Sequence, residues 1–293
     1  MKVLLHVNYV EGPGDCLEQL FKLAKRAGCD GVELRWKYRF PDRTQAEYQA
    51  LVADLKQRYP EMEIVFGGGV DFCRDKTGTA AQDERDYAEF LQWAKKACGS
   101  QLMNFFCGTI FPKDGGYGPG AMHLGGSGIA CEADYERAAA GLRRVGDAAA
   151  ACGIRLALET HNGYIHDIAS SCAKLMAMTG HPAVGINYDQ GNIILNKTGE
   201  SIDKVFELLP DKIYYAHLKN MMIVRLPNDG GVSYSVTRLD SGYIDQSRVM
   251  RHLKERLVGG IIAIEYPCPG DGVIAALRDM EYIRFLKNEL DIQ

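Results

Sequence analysis

Four places in the sequence combine an apolar run with side chains that bind metals or move protons. The runs are LALETHN from position 156, INYD from 186, AHLK from 216 and AIEY from 263. Each carries such polar residues at its end: Glu159 and His161, Asn187 and Asp189, His217 and Lys219, and Glu265. Because side chains two positions apart on a strand share a face, the members of each pair are expected to point the same way.

Three carboxylates and one imidazole stand out in this set. If Glu159, Asp189, His217 and Glu265 meet in space, the three acids repel one another and some of their pKa values rise. A divalent cation would remove this repulsion, and oxygen-rich ligation with one nitrogen suits hard cations better than a zinc site of the thiolate type. We therefore predict one divalent metal ion, with Mn²⁺ as first choice and Mg²⁺, Co²⁺ or Zn²⁺ as alternatives. The competing interpretation treats each acid as a salt-bridge partner or a solvated loop residue.

Eight short apolar runs supply the strands that would position these residues. They are predicted at Val3–Asn8, Gly31–Arg35, Glu63–Phe66, Leu102–Cys107, Ile154–Glu159, Val184–Asp189, Ile213–Leu218 and Ile261–Tyr266. Nearly continuous apolar character is typical of parallel strands that are covered on both faces. Segments of helical character separate the runs. The Ala-rich segment Glu132–Cys152 is one, and capping boxes are predicted at Thr44–Glu47 and Thr79–Gln82.

Eight strand–helix units in 293 residues predict an α/β fold, a single (β/α)8 TIM barrel spanning residues 1–293. A doubly wound open sheet is the competitor, but no G-x-G-x-x-G fingerprint follows the first strand. In a barrel the carboxyl ends of the strands converge on one mouth, where active sites lie. The glycine-rich stretch Gly108–Ile129 follows the fourth strand, and we predict that it forms a mobile flap at this mouth.

The composition excludes several classes of partner. With 46% hydrophobic and 25% charged residues and a net charge of -4, the chain is typical of a soluble globular protein without a basic face for nucleic acid or anionic membranes. No signal peptide or membrane span is predicted. Nine cysteines without a C-x-x-C motif favour free thiols and a cytoplasmic location. The oligomeric state stays open, with a homo-oligomer as one option.

Six further residues are predicted to contact a substrate, and each has a structural alternative: Asn187, Asn192, Glu33, His6, Trp36 and Asn104. The first two donate hydrogen bonds to substrate hydroxyls or act as caps. Glu33 shares a face with Arg35, and a buried ion pair between them is the alternative. His6 lines the barrel floor or packs there, Asn104 meets the substrate or belongs to the core, and Trp36 walls the pocket or covers a helix.

The motifs LALETHN, INYDQGN, AHLKN and AIEYP, with GCDGVELR at the second strand, resemble the xylose-isomerase-like barrel superfamily of sugar isomerases and epimerases. The resemblance covers the whole chain in element order. It implies that Glu159, Asp189, His217 and Glu265 bind one divalent metal. In the ketose 3-epimerase branch the two glutamates also move the proton, which implies catalytic roles for Glu159 and Glu265 on opposite sides of a substrate carbon. The metal would act as a Lewis acid that stabilises an ene-diolate of a ketose or related polyol.

Three positions depart from the epimerase pattern. Ile165, Asn192 and Ile223 stand where that branch has Glu, His and Arg. The D-x-G-N and H-L-K-N forms are similar to the inosose-dehydratase and uncharacterised isomerase branches, so a lyase that removes water from a keto-polyol stays open. In such a branch Lys219 serves as an acid or base, and its alternative role is a counter-charge to the carboxylates. His161 has three open roles: acid or base, orientation of a ligand residue, or structural packing.

Two remoter functions are alternatives. An abasic-site endonuclease of this barrel type needs three zinc ions and additional histidines, and Asn192 replaces one of them. The net charge of -4 is also unfavourable for phosphate binding. A non-catalytic carbohydrate-binding barrel is the other alternative, and it would bind metal without exchanging a substrate proton.

Overall fold

The structure is a computed structural model that describes residues 1–14, 16–113, 116–118, 120–196, 199–227, 231–266 and 270–293. Ten strands lie in these ranges: β1 Lys2–His6, β2 Gly31–Arg35, β3 Glu63–Gly69, β4 Leu102–Phe106, β5 Arg155–Glu159, β6 Val184–Tyr188, β7 Ile213–Leu218, β8 Asn220–Arg225, β9 Val232–Thr237 and β10 Ile261–Ile264. The α-helices in the same ranges are α1 Cys16–Ala27, α2 Gln45–Arg58, α3 Ala80–Cys98, α4 Glu132–Ala151, α5 Ala169–Thr179, α6 Gln190–Ile193, α7 Ile202–Leu208, α8 Gln246–Arg256 and α9 Gly272–Glu289.

Eight of the described strands close into a parallel barrel in the order β1-β10-β7-β6-β5-β4-β3-β2. The predicted (β/α)8 TIM barrel is thereby confirmed, and β2 and β7 have the predicted bounds. The register places Glu159 beside Asn187, and Ala263 beside His217. The carboxyl ends of neighbouring strands therefore bring their last residues to one mouth.

Side-chain alternation explains how apolar strands can present polar groups at that mouth. On β2, Val32 and Leu34 belong to the large core cluster between barrel and helices, whereas Glu33 and Arg35 line the cavity at the mouth. A second, smaller core cluster fills the lower barrel interior, with Leu4, Val65, Leu102, Ala157, Tyr215 and Ala263 among its members. Two residues further along, the inward positions on five of these strands are polar, and on β3 the position is Gly67. The polar layer therefore rests directly on an apolar floor.

An antiparallel hairpin of β8 and β9 interrupts the alternation of strands and helices, and the sequence analysis did not predict it. It begins at Asn220, directly after Lys219. The side chain of Asn220 fixes its base by donating to the carbonyls of Leu239 and Ile244, at 3.0 Å each. Both hairpin strands are largely exposed, so their apolar residues lack the core pattern by which the barrel strands were recognised.

Of the two capping boxes predicted from the sequence, one is present in the structure. The capping box at Thr44 is present, with Thr44 accepting from the backbone of Glu47 and Glu47 accepting in return. The box predicted at Thr79 is wrong, because its hydroxyl donates to Asp83 at 2.8 Å and caps no backbone group. Helix α4 has the predicted extent to within one residue.

The remaining sequence predictions concern the thiols, the loop after β4 and membrane spans. Six of the eight described cysteines are buried, as predicted for small core residues, and Cys268 lies outside the described residues. Of the predicted flap, residues 114, 115 and 119 lie outside the described ranges, and the rest includes two short 3-10 helices, Met122–Leu124 and Gly126–Ile129. Its mobility stays a prediction. Over the described part of the chain, no helix is both long and apolar enough to cross a bilayer.

Candidate active site

Four side chains from the ends of neighbouring strands converge in the barrel mouth. Glu159, Asp189, His217 and Glu265 are all buried, and one ligand atom from each lies within 4.8 Å of the others. They come from β5, β6, β7 and β10 or the residue that follows the strand. The sequence therefore identified a set of residues that the fold brings together, and their role as metal ligands stays a prediction.

His217 has a ring orientation that suits a cation. Its Nε2 donates to Oε2 of Glu33 at 2.7 Å, and the hydroxyl of Tyr215 donates to the same oxygen at 2.6 Å. Its Nδ1 is buried without a hydrogen-bond partner, 3.3 Å from Oε2 of Glu159 and 3.4 Å from Oε2 of Glu265. A buried nitrogen held between two carboxylate oxygens fits the donor set of a divalent ion.

The close approach of these charged side chains shifts their pKa values. Burial raises the pKa of Asp189 to about 7, with Lys219 opposing the rise and the carboxylates of Glu265 and Glu159 adding to it. Burial acts to raise the pKa of Glu159, but the charge and hydrogen bond of His217, together with the charge of His161, bring this pKa to about 2. Burial lowers the pKa of His217, and the surrounding carboxylates raise it well above its ordinary value. A proton on His217 thus takes part of the role that a bound cation would fill.

Lys219 provides a second positive charge beside the cluster. Its Nζ lies 2.7 Å from Oδ2 of Asp189 and 2.8 Å from Oε2 of Glu265. Burial lowers the pKa of Lys219, but these two carboxylates raise it well above its usual value. The geometry supports the interpretation of Lys219 as a counter-charge, and its role as acid or base stays a prediction.

Two asparagines bond to the carboxylates directly, and a third bonds to one of those asparagines. Asn104 donates from Nδ2 to Oε1 of Glu33 at 3.0 Å and to Oε2 of Glu159 at 2.8 Å. Asn192 donates to Oε1 of Glu159 at 3.1 Å and to Oδ2 of Asp189 at 2.9 Å. Asn187 donates to Oδ1 of Asn104 at 3.1 Å and is fully buried. These amides restrain the acids, while their predicted contacts with a substrate stay predictions.

Two cavities flank the cluster and share a wall. The larger, of about 510 Å³, is lined by the predicted residues His6, Glu33, Trp36, Asn104, Glu159, His161 and Glu265, among others. The smaller, of about 360 Å³, lies between the loop after β4 and the hairpin, and its lining includes Asn192 and Lys219. His161, Tyr164 and Tyr266 line both cavities. Nδ1 of His161 lies 2.8 Å from the carbonyl of Asn162, so this ring borders both cavities without joining the converging set.

Trp36 and His6 occupy the wall of the larger cavity. Trp36 is buried edge-on against Tyr87, and a Cβ added to Gly68, whose φ is +150°, would lie 1.8 Å from the indole. The tryptophan therefore needs a glycine beneath it. His6 accepts from the backbone of Asn8 at 3.1 Å, and its Nε2 lies 3.7 Å from Oε1 of Glu33.

The alternative of a Glu33–Arg35 ion pair is wrong. Glu33 is fully buried and bonds to His217, Tyr215 and Asn104. Arg35 instead donates to Glu11 at 2.6 and 2.8 Å. Both side chains of β2 face the mouth, but Glu33 lies one layer deeper and meets residues from β4 and β7.

Sequence reasoning missed two residues that support the site. Tyr215 stands two positions before His217 on β7, so the shared strand face was an available signal. His166 lies 2.5 Å from the carbonyl of Glu159 through Nδ1 and accepts from the backbone of Cys107 at 3.4 Å through Nε2. Burial lowers the pKa of His166 to about 4, which keeps the neutral tautomer that this bridge needs. Its position after β5 gave no periodic signal.

A sequence profile described as xylose isomerase-like TIM barrel matches residues 21–288. The chain belongs to this family. Solved structures share the architecture along nearly all of their length. An L-ribulose 3-epimerase superposes with a TM-score of 0.72 at 15% identity, covering 99% of this chain and 95% of the other. A xylose isomerase-like protein from Mycobacterium smegmatis in complex with magnesium gives 0.70 at 18% identity, covering 99% and 97%. At such identities the likeness concerns the fold alone.

A curated relative is similar over a shorter stretch. The inosose dehydratase of Lacticaseibacillus casei is 31% identical over 88 residues, which make up 30% of this chain and 29% of that protein. The similar stretch therefore spans less than a third of the relative. Both epimerases and dehydratases thus occur among the proteins that this xylose isomerase-like chain resembles.

Proposed function

We propose that this protein is a divalent-metal-dependent sugar isomerase or epimerase that removes and returns the α-proton of a ketose or related polyol. The placement of His217 carries the proposal. Its unpartnered Nδ1 lies between Glu159 and Glu265, at 3.3 and 3.4 Å. An imidazole flanked by two acids in a buried mouth offers one ion-binding position and two groups that can exchange protons.

The two glutamates differ in their surroundings, which suits opposite halves of a proton transfer. Glu159 accepts hydrogen bonds from Asn104 and Asn192 on its two oxygens and is held ionised, with a pKa of about 2. Because it is ionised, this carboxylate is the proposed proton acceptor. Glu265 instead contacts the ammonium of Lys219 at 2.8 Å, and we propose that the proton that returns to the substrate comes from this side of the site. His161, on the wall shared by both cavities, is proposed to orient the substrate or relay that proton.

The metal would be held by Glu159, Asp189, His217 and Glu265. We propose Mn²⁺ first, with Mg²⁺, Co²⁺ or Zn²⁺ as alternatives, because three carboxylates and one imidazole form a predominantly oxygen donor set. When bound, such an ion acts as a Lewis acid that lowers the pKa of the C–H bond next to a carbonyl. Asn104, Asn192 and Glu33 keep the ligand side chains in position.

The substrate is proposed to be a small sugar or polyol bound in the cavity of about 510 Å³. Polar side chains at its base, including Asn104 and His6, would contact the hydroxyls, and Trp36 would contact a sugar face. A cytoplasmic location is part of the proposal. The eight described cysteines are free thiols, which is consistent with a reducing compartment.

A dehydratase is the second candidate. The 31% identity to an inosose dehydratase over 88 residues favours it, as does the ammonium of Lys219 between two acids of the site. In this reaction one glutamate takes the α-proton, and Lys219 gives a proton to the β-hydroxyl, which leaves as water.

Incubation of metal-loaded protein in D₂O with ketose and inosose panels tests both candidates. Deuterium at the α-carbon with isomer formation supports the isomerase, and enone absorbance supports the dehydratase. Glu159→Gln and Glu265→Gln should each abolish both signals, while Glu84→Gln, on α3 and paired with Arg144 away from the cavity, serves as the control. Metal binding without any exchange across the panels would refute the enzymatic proposal and favour a carbohydrate-binding barrel.

A further inference from the structure

Two guanidinium groups border the larger cavity next to the converging acids. Arg35 ends β2 and Arg39 follows it in the next loop, and both line the cavity of about 510 Å³ together with Glu159 and Glu265. The side chain of Arg35 is 22% exposed and that of Arg39 is 59% exposed. One guanidinium is therefore set into the wall, and the other extends over the opening.

These two cations share one carboxylate. Arg35 donates to Glu11 from Nε at 2.6 Å and from Nη2 at 2.8 Å. Nε of Arg35 bonds to Oε1 of Glu11, and Nη1 of Arg39 lies 3.8 Å from this same oxygen, which is too far for a hydrogen bond. Within the described ranges, the ion pairs of both side chains are made with Glu11. The two guanidinium groups and the carboxylate of Glu11 together carry one net positive charge.

The pair is close to the proposed reacting centre. Nη2 of Arg35 donates to Oδ1 of Asn8 at 2.7 Å, and Nδ2 of Asn8 lies 3.4 Å from Oε1 of Glu265. A single side-chain amide thus separates the guanidinium from a proposed catalytic acid. Arg39 lines the same cavity as Tyr164 and Tyr266, which form part of the wall shared by the two cavities.

We propose that Arg35 and Arg39 form a subsite for an anionic group, a carboxylate or a phosphate, on the substrate. The inference rests on the proposed function and narrows its substrate class to keto-acids or phosphorylated ketoses. Guanidinium groups bind planar carboxylates and phosphates through paired N–H donors. A neutral sugar would leave the free donors of Arg39 unused, whereas an anionic end group would complete the charge balance that Glu11 alone does not supply.

Calorimetric titration of the Mn²⁺-loaded protein tests this subsite without requiring turnover. The probes are D-fructose, 5-keto-D-gluconate and D-fructose 6-phosphate, which share a keto-polyol skeleton and differ in charge. A charge-assisted hydrogen bond contributes about 1.5–3 kcal/mol, so one anionic probe should bind at least about tenfold more tightly than D-fructose. Arg39→Gln should reduce this preference to near unity. Arg85→Gln removes an exposed guanidinium on α3 that bonds to Gln82, and it should retain the preference.

The relative affinities for the three probes identify the anionic group that the subsite binds. Preference for the keto-acid alone assigns a carboxylate, and preference for the phosphate ester alone assigns a phosphate. Binding of both anions no tighter than D-fructose, including no binding at all, overturns the subsite, and so does a preference that survives Arg39→Gln. Deuterium exchange on the same probes separates the two proposals. Exchange without anion preference leaves only the proposed function standing, and preference without exchange leaves only the subsite.

Discussion

Oε2 of Glu33 lies 2.7 Å from Nε2 of His217, so a carboxylate on β2 fixes the ring of a histidine on β7. This contact directs Nδ1 of His217 toward Glu159 and Glu265. Glu33→Gln keeps the shape but removes the charge that orients the ring and makes it more basic. We expect affinity for Mn²⁺ to fall by about 10- to 100-fold, as measured by calorimetry.

The matched control for Glu33→Gln is Tyr215→Phe. It deletes the other hydrogen bond to the same oxygen, at 2.6 Å, and leaves the contact with His217 intact. Its effect on Mn²⁺ affinity should be smaller. Equal affinities in the wild type and Glu33→Gln would show that Glu33 does not position a metal ligand.

Metal removal should suppress deuterium exchange. Dialysis against a chelator is expected to abolish exchange into the α-position, and added Mn²⁺ should restore it, because the proposed chemistry needs a Lewis acid. His217→Ala should weaken Mn²⁺ uptake, since it deletes the nitrogen donor between Glu159 and Glu265. Undiminished exchange in chelated protein whose metal content is zero by elemental analysis would refute the metal assignment.

In the Lys219→Met variant, the stability of the folded protein should depend on added divalent cation. The substitution leaves the carboxylates of Asp189 and Glu265 buried without the ammonium 2.7 and 2.8 Å away. Loss of one partner from a buried ion pair costs about 3–5 kcal/mol, so the free energy of unfolding should fall by an amount of this order. Added Mn²⁺ should then raise the melting temperature more than it does in the wild type.

Lys174→Met is the control for the lysine substitution, because Lys174 pairs with Glu132 at the surface. It should change the free energy of unfolding far less. If Mn²⁺ stabilises Lys219→Met no more than the wild type, the ammonium does not compete with a cation for these oxygens.

Asp167 lies outside the cluster of Glu159, Asp189, His217 and Glu265. Its buried carboxyl should make the stability of the protein depend on pH. Burial raises its pKa from 3.8 to about 6, while it accepts from the backbone of Ser127 at 3.1 Å and the hydroxyl of Ser171 at 3.1 Å. Between these pH values the folded state binds more protons than the unfolded state, so stability falls as pH rises. The shift corresponds to about 3 kcal/mol.

The measurement compares unfolding free energies of the wild type and Asp167→Asn by denaturant titration from pH 4 to 7. The difference between the two isolates Asp167 from other titrating groups. We expect the wild type to lose about 3 kcal/mol relative to the variant between about pH 4 and pH 6, with little change above pH 6. A flat difference would show that the carboxyl is ionised throughout this range.

The sequence predicted those parts of the fold that depend on short-range pattern. Strands β2 and β7 were predicted with correct bounds, because each apolar run ends sharply at polar residues. Strand β3 is longer than predicted and runs to Gly69, since glycines carry no hydrophobic signal. The last barrel strand ends at Ile264, so Glu265 follows the strand and does not lie within it.

The candidate site was only partly predictable. Parallel strand ends must meet, so the convergence of Glu159, Asp189, His217 and Glu265 followed from topology. The contact between Glu33 and His217 did not follow from topology, because His217 lies 184 positions away in the sequence and across the barrel interior. Such a pairing depends on the depth of each side chain in the barrel, which a one-dimensional pattern does not encode.

The hairpin of β8 and β9 has a consequence for how this protein can diversify. Met221, Tyr234 and Val236 form part of the wall of the smaller cavity, whereas the converging acids and histidine stand on the barrel itself. Exchanges on this appended arm can alter which molecules fit without disturbing the ion-binding position. Natural substitutions, or a laboratory library confined to these cavity-facing positions, can therefore change selectivity while the clustered acids and histidine stay unchanged.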